Sequence, residues 1–141
     1  MKKQGLSLVG VLSLLLVAGS ALAQTHAIGA DVPFSFTVNQ TTMPAGQYTI
    51  SPLGNGTNVL VIQSSDTQAI KLVNANRAAS SKAADRTKLV FHCYEGDHCF
   101  LYQLWVGGMS RGQELPRSAA EREIAANLRS QRNLAVMAAT Q

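Results

Sequence analysis

Charge is thin in this chain. Asp, Glu, Lys and Arg make up 14% of its 141 residues, with 12 basic residues against 8 acidic. A dedicated nucleic-acid binder carries a basic stripe, and none is present. Lys2 and Lys3 belong to a segment expected to be removed, which leaves 10 basic against 8 acidic residues and a formal charge of +2. Catalytic signatures are also missing. No serine sits in G-x-S-x-G and no C-x-x-C occurs. Gly54-x-Gly56 neither completes a dinucleotide fingerprint nor precedes a helical pattern. There are no internal repeats. After the N-terminal segment no run approaches the 20 or so apolar residues that a membrane helix needs. These absences argue against a nucleic-acid partner, a membrane span in the mature chain, a resident cofactor and a recognisable catalytic set.

What is present starts at the N-terminus. Lys2-Lys3 is a short positive region, Leu6 to Ala18 is uncharged and apolar, and Gly19-Ser20 breaks the run. Ala21-Leu22-Ala23 then fits the small-x-small site of signal peptidase, with cleavage between Ala23 and Gln24. No cysteine follows for a lipid anchor. The chain is therefore expected to be exported, to the periplasm or outside the cell. Its mature form of 118 residues makes one domain with a modest core.

The mature sequence reads as short strands. Residues 24–30 read as a flexible leader. Over 31–38, Val32, Phe34, Phe36 and Val38 alternate with Pro33, Ser35 and Thr37, the period of a half-buried strand. Strands are expected at 47–51, 58–63 and 68–74. Asn55-Gly56 predicts a tight type I′ hairpin between the second and third, because that turn needs positive φ at both central residues. Residues 75–86 are small, polar and basic and read as an exposed loop. Arg77, Lys82, Arg86 and Lys88 cluster there as solvated surface, with an anion contact as the functional alternative.

The densest β-signal is Lys88 to Gly108, which holds both cysteines, the single tryptophan, and His92 and His98. Strands are expected at 87–94 and 98–106 around a turn centred on Gly96. That register sets Cys93 opposite Cys99, and an oxidising compartment favours a disulfide between them. Two His and two Cys are also a soft-metal set, but adjacent strand residues point to opposite faces, so His92 and Cys93 diverge, as do His98 and Cys99. Simple alternation puts Trp105 on the face of Cys99 and Leu101, in the core. An exposed Trp105 would instead sit beside the glycine-rich connector that carries Arg111 and Arg117, a possible contact for a sugar, a peptide or an acidic glycan.

Ser118 and Glu121 form an S-x-x-E capping box that opens a helix at about 118–132, with Ala120, Ile124 and Leu128 on one face. Residues 133–141 have no stop signal and are open to disorder. The fold expected over 31–132 is mainly β: a six-stranded antiparallel meander forming a small barrel or sandwich, with one C-terminal α-helix.

Several stretches resemble a group of small exported proteins common in acidobacterial genomes. They are Val32-Pro33-Phe34 with Phe36 and Val38, Met43 to Thr49, Lys88 to His92, Phe100-Leu101 with Trp105, and Glu114 to Ser118. The resemblance spans most of the mature chain and implies an exported β-rich domain. It brings no activity, cofactor or binding residue, and the cysteines lie outside it.

Three functional readings follow. The first is a non-enzymatic binding or structural module of the envelope or extracellular space, with an envelope component, glycan or peptide as partner. The second is a calycin-like barrel carrying a small apolar ligand. The third is an envelope enzyme or metal-binding protein using His92 and His98.

Overall fold

The computed structural model describes residues 27–128 and 130–141. The expected signal segment 1–23, its cleavage site at Ala23 and Gln24, and residues 25–26 of the expected leader lie outside the described residues.

The elements run β1 (Ile28–Val32), β2 (Phe36–Val38), β3 (Thr41–Met43), β4 (Gly46–Pro52), β5 (Val59–Ser64) and β6 (Ile70–Asn74). They continue with β7 (Asn76–Ala79), β8 (Lys88–Tyr94), β9 (His98–Trp105), β10 (Arg111–Glu114), α1 (Ala119–Asn127) and β11 (Gln131–Thr140). Among the described residues the protein is mainly β with one helix near the C-terminus, and its sheet curls into a half-barrel. The strand order is β3-β2-β9-β8-β11-β1-β4-β5-β6. Beyond β2, the free half of the β9 edge carries β10, which in turn pairs with β7. Strand β6 runs through Ala75 into β7, so one bent segment belongs to the far end of the sheet and to the β10 arm. The curl is thereby tied to itself.

Four expectations are corrected. Residues 31–38 do alternate in burial, but Pro33 to Ser35 interrupt the strand between β1 and β2. Pro33 has no N–H for a ladder, and β2 then leaves β4's side of the sheet to pair in parallel with β9 at Thr37 and Phe100. Ile28 to Ala30, expected in a leader, pair with Ile50 to Tyr48 of β4 on one side and with Thr140 to Ala138 of β11 on the other. The supposed loop 75–86 begins with β7. Residues 131–140, expected in the end of the helix and an open tail, are β11 between β8 and β1. Its Ala-rich composition is poor in strand propensity, but ladders on both edges and the partial burial of Leu134, Val136 and Ala138 override that preference.

The core is apolar side chains from the concave face, including Val32, Tyr48, Ile62, Leu89, Phe91 and Leu101. At the end of the curl near the β8–β9 turn, aromatic rings fill it. Phe91 meets Phe34 edge-on at 5.0 Å and Phe36 at 5.3 Å, and Phe36 meets Tyr48 at 5.0 Å. Edge-to-face pairs of this kind add about 1 kcal/mol each to plain burial. Helix α1 lies over the convex side of β8, where His92 and Tyr94 are buried.

Candidate ligand-binding cup

At the other end the strand ends do not meet over a filled core. Ile28, Ile50, Ala75 and Leu104 face the interior there and form the floor of a cup of about 410 Å³. That volume lies in the range of small-molecule sites, roughly 300–1,000 Å³. The rim comes from three segments: the β4–β5 loop, the β6–β7 junction, and the start of β10 with Met109. Other hollows of similar volume lie over β1, β4 and β11 (about 450 Å³) and beside the β8–β9 turn (about 420 Å³). The others touch the core at Ala30 and Tyr48 or at Cys93, whereas the cup rests on four core residues, Ile28, Ile50, Ala75 and Leu104, from four separate segments.

The rim departs from the tight turn expected at Asn55-Gly56. The loop between β4 and β5 spans residues 53–58 and is closed by the Leu53 N–H donating to the Val59 carbonyl at 2.9 Å. Gly54 and Gly56 take positive φ while Asn55 does not, so the two-residue type I′ geometry is not formed. The longer loop places Asn55 and Asn58 at the cup, and the Asn58 carbonyl accepts from Ala75 N–H at 2.7 Å. On the opposite rim, Ser80 and Ala84 donate to the carbonyls of Ser110 and Met109 at 2.8 and 2.9 Å. The basic loop is therefore strapped to the glycine-rich connector.

Charge at the cup is of one sign. Arg77 and Arg111 are exposed and line it, and no Asp or Glu does. Arg77 pairs with Gln113 and Arg111 with Ala79, so the two arginines are diagonal neighbours on one face, with Cβ atoms about 7–8 Å apart. That face is the concave one: just before β7 the same alternation leads from Arg77 to Ala75, and just after β10 it leads from Arg111 through Gln113 to Leu115, and Ala75 and Leu115 are both in the core. Neither arginine forms an ion pair among the described residues.

Trp105 does not join them. A bulge on β9 at Tyr102 lets Phe91 pair with Leu101 and Val90 with Gln103. Leu104 then faces inward opposite Leu89, and Trp105 turns to the convex side opposite Lys88. It is 9% exposed and lies over its cross-strand partner Gly112, where a Cβ would come within 2.7 Å of the indole. Its Nε1–H donates to Gln103 Oε1 at 3.1 Å, and Gln103 Nε2 donates to Glu114 Oε2 at 3.0 Å. Trp105 is thus buried, as expected, but on the face opposite to the one that alternation assigns. Arg117 lies apart from both, donating from Nη2 to Gln131 Oε1 at 2.8 Å. Of Trp105, Arg111 and Arg117, only Arg111 reaches the cup.

The cysteine expectation holds: Cys93 and Cys99 are paired across the ladder and joined in a disulfide with Cα atoms 4.1 Å apart. The histidines serve separate surroundings. His98 is exposed at the turn, opposite Tyr94. His92 is 3% exposed, stacks on Tyr102 at 3.7 Å, and donates from Nδ1 to Glu121 Oε1 at 2.8 Å. Tyr94 donates to the same oxygen at 3.0 Å. The capping box is therefore half made. Ser118 Oγ accepts from Glu121 N–H at 3.1 Å, while the Glu121 carboxylate turns inward to pin α1 to β8. Among the described residues no group of three or more His, Cys, Asp or Glu is placed to hold a metal.

All three tyrosines titrate above the ordinary value. Burial pushes Tyr48 up, and Asp66 nearby adds to it. Burial likewise raises Tyr94, helped by its hydrogen bond to Glu121, and raises Tyr102, helped by Glu114. These are the phenols of packed side chains and lie away from the cup.

The cup was hard to see in sequence because its residues come from separated stretches. The one available signal was the pair of arginines on either side of two small-residue segments. Compared with family models, with curated proteins and with solved structures, the chain matches none.

Proposed function

We propose that this chain is an exported, non-enzymatic binding module that carries a small apolar ligand in the cup at the open end of its half-barrel. One observation carries the reading: inward-facing Ile28, Ile50 and Leu104 stop short of filling that end and leave about 410 Å³ above an apolar floor. An apolar group placed there leaves water, worth about 25 cal/mol per Å² of buried surface. The rim offers amides rather than paired acids and bases. The His92–Glu121 pair, the strongest acid–base contact, is buried and already satisfied by Tyr94, which supports a structural role for it. Export is supported by the N-terminal segment and is consistent with the disulfide.

Native mass spectrometry of freshly purified protein, followed by titration with the uncharged fluorophore N-phenyl-1-naphthylamine, tests the proposal. A co-purified small molecule, or saturable binding that Val106→Trp abolishes by filling the mouth, is expected. Neither ligand nor saturable uptake by the folded protein would sink it.

A further inference from the structure

We propose that the ligand is a single-chain anionic amphiphile, its tail on Ile28, Ile50 and Leu104 and its head group held between Arg77 and Arg111. This rests on the cup reading above and adds the chemistry of the head group. Arg77 and Arg111 stand on adjacent antiparallel strands and on the same, concave face, offset diagonally by two register positions. Following that face inward leads from the two guanidinium groups past Gln113 to Ala75, which is already part of the apolar floor. A charged head at the mouth and a tail toward the floor match this order along the strands.

The charge pattern is selective. The lining holds two arginines, three asparagines and a glutamine, and no carboxylate. Like charges set close together repel unless an anion comes between them, and neither has an acidic partner among the described residues. A guanidinium fork matches a carboxylate or a phosphate through two parallel hydrogen bonds, so both head groups share the chemistry required. Asn55 and Asn58, on the loop across the mouth, can donate to the remaining head-group oxygens. A cationic amphiphile is repelled, and an uncharged one gains only the tail contacts.

The test compares decanoate, decyl phosphate and decan-1-ol on the mature chain by displacement of N-phenyl-1-naphthylamine. At least one anion should bind about tenfold or more tightly than decan-1-ol, the worth of one charge-assisted hydrogen bond, and the tighter of the two identifies the head group. Arg77→Gln with Arg111→Gln should remove this advantage, so that within the double variant the anions bind no more tightly than decan-1-ol. Raising the salt concentration on the unaltered chain should erode the anion's advantage alone, because exposed charges are screened. Equal affinity for decan-1-ol and both anions overturns the head-group proposal while leaving the cup. Retention of the anion preference in the double variant overturns it too. Failure of all three to displace the fluorophore overturns the cup reading itself.

Discussion

The two ends of the half-barrel are closed by different means. Near the β8–β9 turn, Phe34, Phe36, Tyr48 and Phe91 meet edge-on, and the Cys93–Cys99 bond joins the two strands beside them. At the other end aliphatic side chains form a floor, and loops rich in Asn, Gly and Arg stand around it. Large rings span an interior that Ile and Leu cannot. The distribution of aromatics therefore decides which end is solid and which is hollow. Stability should reside in the first and ligand selectivity in the second.

The largest expected effect tests the solid end. Phe91 is fully buried and touches two other rings. Phe91→Ala should cost about 4 kcal/mol, read from the midpoint of denaturant unfolding, and a loss below that of an ordinary surface change would contradict the division of roles. Opening the disulfide with a thiol reductant should come next. The loop it closes is short, with a sequence separation of 6, so the chain-entropy contribution is about 2 kcal/mol. An unchanged unfolding midpoint after complete reduction would remove the disulfide from the account.

Alkaline titration follows. The folded state raises all three tyrosines, so it holds their protons longer than the unfolded chain does. Stability is thus complete below the ordinary tyrosine value near 10 and falls as pH climbs through the folded values. Tyrosinate absorbance should appear late and together with unfolding; a tyrosine ionising normally in the folded protein would refute this. The smallest stability effect belongs to the hollow end. Met109 is exposed on the rim, and Met109→Ala should change stability by no more than about 0.5 kcal/mol. A loss comparable to that of the disulfide would mean that the rim is part of the core.

Much of the solid end was legible in the sequence. The alternation of Val32, Phe34, Phe36 and Val38 gave their burial, and the turn centred on Gly96 gave the register that joins Cys93 to Cys99. A three-residue turn, with Gly96 and Asp97 both at positive φ, leaves little freedom in pairing. The hollow end was much less legible. Strands β7 and β10 are built from Asn, Arg, Ala, Gly, Gln and Glu, and β11 is rich in Ala, Gln, Arg and Asn, residues whose own preferences favour loops or helix. They are strands because their neighbours supply ladders, and a linear reading does not contain that information. Leu134, Val136 and Ala138 did carry a period of two, which could have revealed β11. Trp105 was assigned to the wrong face because nothing in the residues around Tyr102 announces a bulge.

That bulge bears on chain length. A strand cannot ordinarily lose one residue without turning everything beyond it onto the opposite face. Strand β9 is an exception. Tyr102 is surplus to the ladder, since Leu101, Gln103, Leu104 and Trp105 already have Phe91, Val90, Leu89 and Lys88 as consecutive partners. Deleting Tyr102 would restore unbroken alternation and leave Leu104 in the cup floor and Trp105 over Gly112. The stack on His92 would go, and with it the contact of the phenol with Glu114 and the Tyr102 carbonyl that accepts from Leu115 N–H at 2.8 Å. Deletion of Gln103 would have the same effect on register, whereas loss of Leu101 or Leu104 would put the two sides of the sheet out of phase.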